Sequence, residues 1–128
     1  MTRIKKKPYI ITSNPVEDRY ARGWHCLGLS TDYTSTPVTL EYFGKKLAAY
    51  RGEEDNEFHV LDSYCPHMGA DLSLGKVVGN SLQCPFHGWK WGSDGVCDHI
   101  PYADKVPDKA VIGSYHTIEV NGLVFMWN

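Results

Sequence analysis

Four side chains able to bind a metal fall in two short pairs, Cys65-Pro66-His67 and Cys84-Pro85-Phe86-His87, with sixteen residues between His67 and Cys84. A cysteine and a histidine one or two residues apart can close on a metal only where the backbone turns sharply. Pro66 and Pro85 fix one backbone angle in each pair, and Gly69 and Gly88 allow tight geometry just beyond the histidines. The pairs therefore read as two matched loops. Two thiolates and two imidazoles suit either a tetrahedral zinc ion or a two-iron, two-sulfide centre in which the histidines hold one iron. Spacing alone does not separate these.

The elements that must position the loops are short and extended. Trp24 to Leu29 reads as a first strand. Alternation in Pro37 to Phe43 and then in Lys46 to Arg51 predicts two strands joined by a tight turn at Gly44 and Lys45. The acidic tract Glu53-Glu54-Asp55-Asn56-Glu57 reads as a solvated hairpin loop that a basic partner could use. Phe58 to Leu61 then delivers the chain to the first ligand pair. Between the pairs, LGKVVGNSLQC reads as a hairpin turning at Gly79-Asn80, which returns Cys84 to the side of Cys65.

After His87, GWKW and GVCD flank another turn at Ser93-Asp94-Gly95, and Pro101 and Pro107 bracket a loop expected to cover the metal site. Tyr115 to Val120 and Leu123 to Trp127 pair across Asn121-Gly122, the strongest short hairpin signal in the chain. No segment shows sustained helical periodicity. The pattern predicts an all-β fold, an antiparallel β-sandwich or partly open barrel with the two ligand loops at one end.

A length of 128 residues allows one domain. Residues 1–8, with Arg3, Lys5, Lys6 and Lys7, read as a disordered basic terminus, and 9–128 as the folded unit. A net charge of -2 makes no case for nucleic acid. There is no apolar run of membrane-span length and no signal-peptide pattern near the N-terminus, so a cytoplasmic protein is expected. Cys26 and Cys97, left over from the ligand pairs, are expected to be reduced and packed. His25 is expected to be structural, and His25, His59, His99 and His116 show no spacing for a two-histidine, one-carboxylate iron site.

The string CPHMGADLSLGKVVGN followed by CPFHGWKWGSDGVC resembles the Rieske cluster-binding motif, including the proline after each cysteine, the glycine after the second histidine and the later DG turn. The resemblance implies a Rieske-type fold holding one [2Fe-2S] cluster, with Cys65 and Cys84 on one iron and His67 and His87 on the other. Neutral imidazoles raise the potential of such a cluster into a range of roughly -150 to +300 mV. High-potential relatives carry an extra cysteine in each loop and a hydroxyl aimed at the cluster; the matching positions here are Ala70, Phe86 and Trp89. The low-potential class is expected, with Trp89, Trp91, Phe86 and Met68 shielding the cluster and the outer ring nitrogens of both histidines near the surface.

Over nearly the whole chain from about Pro8, the sequence further resembles the N-terminal domain of Rieske oxygenase components, nearest the ketosteroid 9-alpha-hydroxylase type. ARGWHCLGL, YCPHMGADLSLG, CPFHGWKWGSDGVC and IPYAD carry that resemblance. It implies single-electron transfer from a flavin reductase or ferredoxin to a mononuclear non-haem iron in a separate oxygenase domain. The chain has no such iron motif, so it is not expected to oxygenate anything on its own. A homotrimer is implied for full-length relatives and a monomer for the isolated domain. An autonomous low-potential Rieske ferredoxin and a zinc-stabilised structural module are the competing readings.

Overall fold

A computed structural model describes residues 20–128; the basic terminus read from residues 1–8, and the start of the unit read from residue 9, lie outside them. Among the described residues ten strands form three antiparallel sheets, none closed into a barrel. The first sheet orders β1 (Trp24–Leu29), β10 (Leu123–Trp127) and β9 (Thr117–Val120). The second orders β2 (Val38–Tyr42), β3 (Lys45–Arg51) and β4 (Phe58–Asp62). The third, of short strands, orders β5 (Lys76–Val78), β6 (Ser81–Gln83), β7 (Lys90–Trp91) and β8 (Cys97–His99).

Strand β3 explains the layering. Its Leu47-Ala48-Ala49-Tyr50 run is wholly buried, and alternate residues must point to opposite faces. Leu47 and Ala49 join Leu27, Phe58, Val60, Val124 and Met126 in a core shared with the first sheet. Ala48 and Tyr50 join Leu61, Leu82 and Trp91 in a core shared with the third. A strand covered on both faces has no need of a polar side, hence the unbroken apolar run.

The hairpins at Gly79-Asn80 and Asn121-Gly122 form as expected. The β2–β3 turn differs from the expectation by one residue: Tyr42 pairs with Lys45, so the turn is Phe43-Gly44 rather than Gly44-Lys45. Both turn residues take positive φ, 56° and 67°, as a two-residue hairpin of matching twist requires. Phe43 tolerates that backbone because its ring packs against Tyr20 and His25, with centroids 6.1 and 4.8 Å away. His25 is thereby structural, and its Nε2 lies 3.0 Å from the Ala21 carbonyl oxygen.

Arg51, at the end of β3, ties the sheets together. Its guanidinium donates to both carboxylate oxygens of Glu119 at 2.6 and 3.2 Å. It also reaches the carbonyls of Ser30, Tyr33 and Asn56 at 3.0, 3.2 and 2.8 Å. The acidic tract is not simply solvated. Asn80 Oδ1 accepts the amides of Glu54 and Asp55, which docks the tract on the β5–β6 turn. Among the four cysteines no disulfide forms; Cys97 is buried as expected, but Cys26 is exposed because it sits on the outer face of β1, opposite Leu27.

Candidate metal centre

The first ligand loop leaves β4 and the second leaves β6. Because β5 and β6 pair in register Lys76 to Gln83, the hairpin between them brings the two loops together. Both loops share one backbone frame. In the first, the Cys65 amide donates to the Ala70 carbonyl at 2.9 Å and the Gly69 amide to the Cys65 carbonyl at 2.7 Å. In the second, the Cys84 amide donates to the Trp89 carbonyl at 2.7 Å and the Gly88 amide to the Cys84 carbonyl at 3.2 Å. Each frame closes through a glycine of positive φ, 72° at Gly69 and 77° at Gly88, which a side chain would strain. The histidine sits two residues after the cysteine in one frame and three after it in the other.

The four predicted ligands lie on these two loops as two facing pairs, cysteine with cysteine and histidine with histidine. Both cysteines are buried, and the Cys84 thiol lies close enough to act on Cys65. The two histidines face one another through Nδ1 atoms 3.4 Å apart. Burial pushes the Cys65 thiol up, and the adjacent Cys84 pushes it further, so it ionises readily only beside a strong positive charge. Behind it lies the wholly buried indole of Trp91, whose N–H finds no well-formed hydrogen bond yet favours an ionised Cys65. A pair of sheltered thiols, a pair of converging ring nitrogens and a buried indole N–H unpartnered among the described residues together fit a cluster held by sulfur and nitrogen donors.

The surroundings depart from the sequence reading in two respects. Trp91 is buried and Trp89 half-buried, but Met68 and Phe86 are 60% and 58% exposed, so they form an apolar rim rather than a cover. His87 is exposed as expected, whereas His67 is half-buried. Its ring stacks on Trp89 at 4.4 Å, and its Nε2 lies 3.2 Å from the hydroxyl of Tyr102, which also accepts the Trp89 indole N–H at 2.7 Å. Tyr102 belongs to the loop between Pro101 and Pro107, so that loop reaches the site as anticipated. The residue itself was not singled out from sequence, where a contact 35 positions away leaves no local pattern.

Asp71 anchors the returning limb of the first loop. Burial alone would raise its pKa, but hydrogen bonds from the Ser63 and Ser73 side chains and the Ser73 amide, the last at 3.0 Å, hold it below the usual carboxylate range. Arg51 does the same for Glu119. A carboxyl whose pKa is depressed on folding adds stability above its unfolded pKa of about 4, and that stability is lost as pH falls through the folded value. The urea midpoint is therefore expected to hold from neutral pH to about 5 and to fall steadily below about 4. Arg51→Ala should flatten that fall. A midpoint that is constant or rising on acidification would contradict both assignments.

Asp55, Glu57 and His59 also bring ligand atoms within 4.8 Å of one another, with His59 Nε2 2.7 Å from Asp55 Oδ2. That trio has two carboxylates and one histidine, the reverse of the composition an oxygenase iron site uses. Among the described residues no helix is long and apolar enough to cross a membrane.

Comparison with known proteins agrees with this geometry. The pattern of the Rieske [2Fe-2S] domain matches residues 23–115. An oxygenase component of 3-ketosteroid-9-alpha-monooxygenase from Rhodococcus rhodochrous is 45% identical over 119 residues, covering 92% of this chain and 30% of the relative. A cholesterol 7-desaturase from Xenopus laevis is 45% identical over 113 residues, covering 84% of this chain and 24% of the relative. The crystal structure of apo dicamba monooxygenase superposes with a TM-score of 0.78 at 30% identity, covering 83% of this chain and 33% of that one. The chain thus spans about a third or less of the proteins it resembles. A family pattern that runs from the start of β1 to the approach of β9, with both Cys-His loops folded together inside it, makes this chain a member of the Rieske [2Fe-2S] domain family.

Proposed function

We propose that this chain is the electron-transfer domain of a Rieske oxygenase acting on a steroid-like ring, with Cys65 and Cys84 as the sulfur ligands and His67 and His87 as the nitrogen ligands. The observation that carries the ligand set is the convergence of the two Nδ1 atoms at 3.4 Å beside two buried thiols. When bound, the [2Fe-2S] cluster takes up and releases one electron at a time. The protein's own part is to hold four donors on self-closed loops, to keep water from the sulfur side with Trp91, and to present the exposed His87 to partners.

The partners that fit are a reductase or ferredoxin as donor and a mononuclear-iron oxygenase domain as acceptor. The steroid class is supported by the names of two relatives, one a ketosteroid monooxygenase component and one a cholesterol desaturase. A trimer in the full-length protein, a monomer for the domain alone and a cytoplasmic setting belong to the same reading.

Electron paramagnetic resonance of the dithionite-reduced protein tests the ligand set. The expected spectrum is that of mixed nitrogen and sulfur ligation, distinct from an all-cysteine cluster, with a midpoint potential at or below about zero, in the lower half of the Rieske range. A colourless protein carrying one zinc per chain would overturn the reading.

A further inference from the structure

The two histidines are built into different surroundings. His67 is clamped: Trp89 stacks on its face at 4.4 Å and 14°, and the Tyr102 oxygen stands 3.2 Å from its Nε2. Tyr102 is itself held, because the Trp89 indole donates to that oxygen at 2.7 Å. With Nδ1 of His67 given to the metal, as proposed above, the proton of a neutral ring sits on Nε2, 3.2 Å from the phenol oxygen that can accept it. Trp89 thus contributes twice, once through its ring and once through its N–H. His87 has no counterpart: among the described residues no hydrogen bond reaches its Nε2, and the neighbouring Phe86 ring is tilted against it at 4.1 Å.

We propose that Tyr102 is a positioning residue for the cluster, fixing the ring of His67 and tuning its electron donation while His87 is left open. The inference rests on the ligand assignment proposed above. A hydrogen-bond acceptor on the outer N–H of a ligating imidazole fixes ring orientation and makes the inner nitrogen a stronger donor. A stronger donor favours the oxidised centre, so Tyr102 lowers the potential through one ligand only. This pair of aromatic groups takes the place of no hydroxyl aimed at sulfur; it acts on the nitrogen side.

The test is Tyr102→Phe in the cluster-loaded protein. Tyr102 is 63% exposed, so removing its hydroxyl leaves both cores intact. The reduction equilibrium should shift about threefold toward the reduced state, or ~28 mV at 59 mV per tenfold for a one-electron couple. Pulsed paramagnetic resonance of the reduced protein should show two distinct outer histidine nitrogens in the parent and nearly equivalent ones in the variant. Tyr64→Phe, which removes an exposed hydroxyl over Gly69 of the first loop that has no hydrogen bond to either histidine among the described residues, should leave both readouts at parent values.

Parent-like potential and nitrogen couplings in Tyr102→Phe would overturn the proposal, as would an equal shift in Tyr64→Phe. Failure of the unaltered chain to bind a cluster would instead defeat the ligand assignment, so the two failures are distinguishable.

Discussion

Alanine at Cys65 or Cys84 is expected to give a folded, colourless protein that retains essentially no iron or sulfide. The argument has two parts. Each cysteine is one of two sulfur donors in its site, and no other cysteine can take its place: Cys97 points into the core beneath β8 and Cys26 lies on the outer face of β1. The two apolar cores, meanwhile, are anchored by residues such as Leu47, Val60, Val124, Leu82 and Trp91, so the sheets do not rely on the thiols. His67→Ala and His87→Ala should lose the cluster as well, because the iron they would share is left with one nitrogen ligand and one open position. Iron and acid-labile sulfide assays, visible absorption and far-ultraviolet circular dichroism check all four. Persistence of the brown colour in either histidine variant would refute the assignment of nitrogen ligands.

The second large effect is structural. Trp91→Ala should destabilise the protein by about 3–5 kcal/mol, the usual penalty for truncating a large buried aromatic side chain. Trp91 is 0% exposed, pairs with Leu82 and Cys97 across β6 and β8, and lies with its ring centroid 6.0 Å from that of Trp89. Its removal would leave a void in the core between the second and third sheets, to which Ala48, Tyr50 and Leu61 contribute from the opposite layer. Urea unfolding of the metal-free chain measures this without interference from the cluster. A loss below about 1 kcal/mol would mean that the site collapses around the smaller side chain and that the third sheet is not fixed by this residue.

What could be read from sequence was what is encoded locally. Cys65, His67, Cys84 and His87 declare themselves by type and spacing, and Gly79-Asn80 and Asn121-Gly122 by turn chemistry that operates over four residues. The β2–β3 turn slipped by one position because a phenylalanine at positive φ is rare, and only tertiary contacts with Tyr20 and His25 make it tolerable.

Three other features were beyond local reading. The burial of β3 on both faces depends on two partner sheets that its own residues do not name. Exposure of Met68 and Phe86 depends on how far the loops project, which apolar character does not reveal. Tyr102 lies in a loop correctly expected to approach the site, yet its role depends on a three-way contact among residues 67, 89 and 102.

The matched loop frames bear on how the mature protein is assembled. Since each ring is sealed by amide–carbonyl bonds within one short segment, its contour is established when the polypeptide folds and does not await iron. The cradle should keep its shape through synthesis, so that a delivery system meets donors already in place and maturation becomes a late insertion event rather than part of folding itself.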